Sequence, residues 1–289
     1  MRKLFLVGAL LGAMLIPTAS ASAALEGEYA KFKTCPLANA NVKACVYAES
    51  SAGTFTMGKK SVPIVNPVVL KGGAEFLSGE GLFGPLKFIA PTDGQTLSKT
   101  PQPVPGGLTG IVAPSWWPQI LKDLFNETIN NGFTGVQATV ELAGPASSVN
   151  LNVPNTVFGT GIALGMPVKV KLSNPFLGSN CYIGSNSNPI QLKLTTGTTS
   201  PPLPNKPISG NPGEFSTVDE GAIVVLSKNR LVDNSFAAPG ANGCGGILFS
   251  WLVDPFVNSI VGVPSAAGTN TAILEGTNYI GDADIIRTK

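Results

Sequence analysis

The sequence predicts a mainly β protein: an antiparallel β-sandwich or partly closed barrel, with two short amphipathic helices packed against it. Four stretches alternate strictly between apolar and polar residues, the period of a strand with one dry and one wet face. Each is bounded by Gly, Pro or Asn, residues that turn a chain. With 34 glycines and 24 prolines the chain turns often, yet 43% hydrophobic residues suffices for a real core and argues against disorder.

From the N-terminus, residues 1–23 read as a secretory signal peptide. Arg2 and Lys3 supply the positive start, 4–16 is an apolar run, and Ala21-Ser22-Ala23 is a small-x-small cleavage site. The run is short for a bilayer span, so removal is expected rather than retention as an anchor. Residues 24–289 are expected to form a single disulfide-stapled, β-rich domain, secreted or loosely associated with the cell wall.

Cys35, Cys45, Cys181 and Cys244 all follow the cleavage site. An even count in an oxidising compartment reads as two disulfides. Of three pairings, Cys35–Cys45 with Cys181–Cys244 is favoured, because the first closes a short loop within one local unit. A zinc site has no support: there is no Cys-x-x-Cys and no histidine.

The alternating runs are 136–142, 149–153, 168–172 and 190–195, and all read as strands. Further strands are expected at 53–57, 61–70, 86–90, 222–227 and 271–279. The continuously apolar 222–226 reads as buried on both faces, and Pro63 and Pro67 make 61–70 an edge or bulged strand. Two segments break the pattern. In 118–131, Ile120, Leu121, Leu124, Phe125 and Ile129 follow helical spacing after Pro118 and before Asn131-Gly132. In 247–263, Asp254-Pro255 reads as a helix start, with Phe256, Val257, Ile260 and Val261 on one stripe packed into the core. The charge of Asp254 at its centre argues against a membrane span.

Composition excludes several functions. The formal net charge of +2 resides in Arg2 and Lys3, so the exported part is neutral, with no basic cluster for nucleic acid. Charged residues are only 12%, about half the usual share. Without histidine there is no Ser-His-Asp or Cys-His nucleophile and no imidazole-ligated metal, and no cofactor motif is present. A carboxylate-pair glycosidase needs only two acids, nominally among Glu75, Glu80 and Asp93. Trp116-Trp117 reads either as a platform for sugar or lipid, or as one ring under the helix and one on the surface.

Three blocks carry a resemblance. The first is Cys35-Pro36, Cys45 and Val65-Asn-Pro-Val-Val-Leu-Lys-Gly-Gly73. The second is Asn174-Pro-Phe-Leu-Gly-Ser-Asn-Cys-Tyr-Ile-Gly184. The third is Cys244-Gly-Gly, Asp254-Pro-Phe-Val-Asn258 and Val263-Pro-Ser-Ala-Ala-Gly-Thr-Asn270. Together they resemble uncharacterised secreted proteins of high-GC Gram-positive (actinobacterial) species. The resemblance implies export and structural roles for Cys181 and Cys244; it implies no activity.

The leading functional expectation is a non-enzymatic secreted or envelope-associated protein that acts by structure or binding, with cell-envelope components as partners. The first alternative is a carrier of an apolar small molecule or lipid, lined by Phe249, Trp251, Phe256 and Ile260 over a continuous apolar cavity beneath 247–263. The second is a secreted carbohydrate-active enzyme using a carboxylate pair.

Overall fold

A computed structural model describes residues 25–127 and 133–289. The expected signal peptide and the end of the first expected helix lie outside them. The elements in chain order are β1 (Ala44–Met57), β2 (Lys60–Pro63), β3 (Val68–Phe76), β4 (Leu86–Ile89), β5 (Gln102–Pro103), α1 (Gln119–Phe125), β6 (Gln137–Leu142), β7 (Asn150–Leu151), α2 (Val153–Phe158), β8 (Leu164–Ser173), β9 (Tyr182–Ile183), β10 (Ile190–Leu194), β11 (Glu214–Val218), β12 (Ile223–Asp233), β13 (Ala241–Asn242), α3 (Gly246–Val261), β14 (Thr271–Asp282) and α4 (Ala283–Ile286).

The strands form two antiparallel sheets, neither closed into a barrel. The first runs β11-β12-β14-β1-β3-β4, with β2 beside β1 beyond the end of β3. The second runs β13-β9-β8-β6-β5, and β8 also pairs with β7 and β10. Alternation explains the second sheet. Along β8, Leu164, Met166, Val168, Val170 and Leu172 are buried while Lys169 and Lys171 are not. In β10, Gln191 and Lys193 point to water between buried Ile190, Leu192 and Leu194. These inner faces meet Val46, Leu70, Leu231 and Ile280 of the first sheet in one shared core. At one corner the sheets touch backbone to backbone, where Thr195 and Val232 exchange two N–H···O bonds of 2.9 Å.

The first sheet is covered on its outer face as well. Phe32, Val42, Cys45, Ile223, Val225 and Ile286 form a second apolar cluster there. This accounts for the unbroken apolar run at the start of β12, whose Leu226 faces the main interior. Arg287 pins the C-terminus to the N-terminal loop by donating to the carbonyls of Leu37, Asn39 and Val42.

Four expectations are corrected. The 61–70 run is two strands, β2 and β3, separated by a turn that contains Pro67. The 149–153 run holds only the two-residue β7, because the Asn152 side chain caps α2 by accepting from Asn155 N, Pro154 sits in its first turn, and Gly159 ends it with φ +67°. The helix in 247–263 does not begin at Asp254-Pro255: it starts at Gly246, with Pro255 in its interior. Helix α1 sinks no apolar stripe into the core and buries no side chain, whereas α3 packs Val253, Val257 and Val261 against the core and leaves Phe256 of the expected stripe exposed.

Candidate apolar docking site

Helix α3 begins where Gly245 and Gly246 take positive φ and ends at Gly262, whose N–H caps Asn258 O. A surface helix is normally held by burying one apolar stripe. This one does so in part: Val257 is buried, at 4% exposure, Val253 and Val261 pack half-buried beside it, and the polar row Ser250, Asp254 and Asn258 shares the inner side. Covalent and polar ties hold it as well. Cys244, just before the helix, is bonded to Cys181, and both are fully buried. The Asp254 carboxylate turns inward and accepts from Cys244 N (2.8 Å) and Gly243 N (3.2 Å). Gly245 N donates to Leu177 O (2.8 Å), Ala241 N to Asn258 Oδ1 (2.7 Å) and Lys59 N to Val261 O (2.7 Å).

The opposite arc of α3 faces solvent. Ile247 is 99% exposed and Trp251 74%, and Leu248, Phe249, Leu252 and Phe256 are each more than half exposed. Between Ile247 and Phe256 the exposed side chains offer one polar group, the Trp251 indole N–H. A second run of exposed apolar side chains, in residues 111–127 and at Phe133, lies in the chain between Gly110 and Gly135. Gly110 lies beside Ile260 of α3, and the Phe133 ring meets Phe176 edge-on at 4.6 Å. Gly178, two residues past Phe176, lies beside Gly246 at the other end of the helix. This segment exposes Ile111, Val112, Trp116, Ile120, Leu124 and Phe133. Trp117 packs edge-on against Phe125 of α1 at 5.7 Å while Trp116 stays outside, so the pair divides into one ring under the helix and one on the surface. All three tryptophans of the chain belong to α3 and this segment.

Of the residues expected to line an apolar site, Phe256 and Ile260 meet at a small void of about 40 Å³ beneath α3, walled also by Val104, Val136, Leu172 and Leu177. Phe249 and Trp251 point outward. Lys60 also borders this void; burial holds its amine below the ordinary lysine range, and Nζ donates to Pro105 O. The nominal acids are not gathered: Glu75 pairs with Lys87 and Asp93 with Lys71, while Glu80 is exposed. The Lys71 ammonium holds Asp93 below the usual carboxylate range. Among the described residues no cluster of acids or cysteines is placed to hold a metal ion.

The four cysteines form the two favoured disulfides, Cys35–Cys45 and Cys181–Cys244. No helix of the described residues is long and apolar enough to cross a membrane. Comparison with protein-family models, curated proteins and solved structures finds no match.

The exposed arc escaped the sequence reading because the polar row Ser250, Asp254 and Asn258 reads as a solvent face, whereas Asp254 and Asn258 turn inward to accept from backbone N–H groups. The one available signal was that the helix's only charge, Asp254, has to turn inward to satisfy backbone N–H groups, which leaves the apolar side chains to water.

Proposed function

We propose that the protein is an exported, non-enzymatic binding protein that docks on the lipid of a cell envelope through α3 and the exposed apolar side chains of 111–127. The carrying observation is the exposed arc from Ile247 to Phe256. Contiguous apolar surface of this kind is rarely left bare in a soluble protein. Lipid fits it better than a protein partner, because protein interfaces use about one hydrogen bond per 100–200 Å² and this arc offers almost none. Trp116 and Trp251 suit the boundary between headgroup and acyl chain. At 16 residues α3 is about 24 Å long, shorter than the roughly 30 Å hydrocarbon layer, so it lies in the interface instead of crossing.

Energetics make the attachment reversible. Full burial of a large apolar side chain is worth about 1.5–3 kcal/mol, so the six on α3 supply on the order of 10 kcal/mol. Association itself costs about 4–15 kcal/mol, which leaves a modest surplus. Export is supported by the two disulfides, which persist in oxidising compartments, and by the leader. The lack of histidine and the dispersal of Glu75, Glu80 and Asp93 weigh against catalysis.

The test is co-sedimentation of residues 24–289 with phosphatidylcholine and phosphatidylglycerol vesicles. Binding to both is expected, and Ile247→Asp/Trp251→Asp should abolish it without loss of fold. Failure of the parent chain to sediment, or undiminished binding by the variant, overturns the reading.

A further inference from the structure

A second apolar space lies between the sheets, away from the exposed arc of α3. Its volume is about 90 Å³. A water needs on the order of 10–15 Å³ of such space, so it can take several waters or a chain of about six carbons. Phe55, Leu70 and Leu274 wall it from the first sheet, and Val140, Met166 and Leu192 from the second. A smaller space of about 30 Å³ adjoins it and shares Ala48, Leu70, Leu164, Leu231 and Asn278 as walls. Phe55, Val62, Ile64 and Val68 line the larger space yet are only half-buried, so the sandwich gapes beside β2.

Three polar side chains reach this wall: Ser50, Gln102 and Asn278. The Gln102 amide is committed, its oxygen accepting from Val65 N and Asn66 N and its nitrogen donating to Asn66 O. Ser50 and Asn278 have no side-chain hydrogen bond among the described residues. Both line the wall, as diagonal neighbours across β1 and β14, where Ser50 pairs with Gly276 and Ala48 with Asn278. No charged residue lines the wall.

We propose that this space is a binding site for a neutral, unbranched aliphatic molecule with one hydrogen-bonding end group, such as an alcohol. The chain lies among the leucine and valine side chains, and the end group exchanges hydrogen bonds with the Asn278 amide and the Ser50 hydroxyl. A carboxylate or ammonium is disfavoured, because it would be buried with no counter-charge. This site is separate from the docking arc and does not depend on it.

The test is calorimetric titration of residues 24–289 with 1-hexanol, hexane and hexanoate at neutral pH. Hexanol should bind one to one, and hexanoate about tenfold or more weaker. Asn278→Leu should weaken hexanol about three- to tenfold, one hydrogen bond's worth, while leaving hexane unchanged. Ala138→Leu, which fills the space, should lower both. The docking variant Ile247→Asp/Trp251→Asp should bind hexanol as the parent does. No hexanol binding by the parent, equal binding of hexanoate, or an unchanged hexanol affinity in Asn278→Leu overturns the proposal. Loss of hexanol binding in the docking variant also overturns it, by placing the molecule on α3.

Discussion

Helix α3 is held by its ties as well as by the inner stripe of Val253, Val257 and Val261, and removing the Cys181–Cys244 bond by Cys181→Ala/Cys244→Ala tests the share of the ties directly. The two cysteines are 63 residues apart. Releasing a loop of that length returns enough entropy to the unfolded chain to cost about 4 kcal/mol. The equivalent change at Cys35 and Cys45, only 10 residues apart, should cost about 3 kcal/mol. The local effect separates them further. Cys244 precedes the helix by two residues, and only Val257 is buried along it, so loss of the bond should free α3 before the sheets open. Urea unfolding gives the global cost, and hydrogen exchange gives the local one. Amides of 246–261 should exchange much faster in the Cys181/Cys244 variant, while those of β8 stay protected. A global loss below about 1 kcal/mol, or unchanged exchange in α3, would refute the reasoning.

Asp254→Ala should cost about 2–3 kcal/mol by urea unfolding, since it strips the charged acceptor from Cys244 N and Gly243 N; Asp254→Asn should recover about half. Gly276→Ala should cost about 1–3 kcal/mol in the same assay, because a Cβ there meets the Glu49 carbonyl oxygen at 1.7 Å. Burial, then the hydrogen bond to Glu49, pushes the Tyr47 phenol up to about 12, above an unfolded value near 10. The stabilisation from this neutral phenol is complete below pH about 10 and is lost as pH rises through about 12. Ultraviolet absorbance titration should show that late step, and Tyr47→Phe should remove it. Trp251→Ser should change stability by no more than about 0.5 kcal/mol in thermal melts, since the ring is 74% exposed.

The strands that alternate strictly, β6, β8 and β10, were legible from their period; only in β10 is the polar face fully in water, while β6 buries Thr139 on that side. β11 was not legible: Glu-Phe-Ser-Thr-Val is mostly exposed and shows no apolar face. At 149–153 a short alternation was outweighed by the Asn152 cap and Pro154, local signals that act within one turn. The cysteine pairing was legible from loop length, and the existence of a helix near 250 from its apolar run. Its start was misread because Asp254-Pro255 resembles a cap, whereas Gly245 and the Cys244 bond set the start nine residues earlier. The juxtaposition of Ser50 and Asn278 depends on β1–β14 pairing between residues more than 220 positions apart, which no local pattern encodes.

The docking claim is tested most directly by the emission of Trp251. In a Trp116→Phe/Trp117→Phe background it is the sole tryptophan. Its emission should move to the blue on addition of vesicles and be quenched by lipids brominated near the headgroup end of the acyl chain. Emission that stays solvent-like in the presence of vesicles, or that shifts only as protein concentration rises without lipid, would contradict the account, the latter by assigning α3 to contact between two copies of the chain.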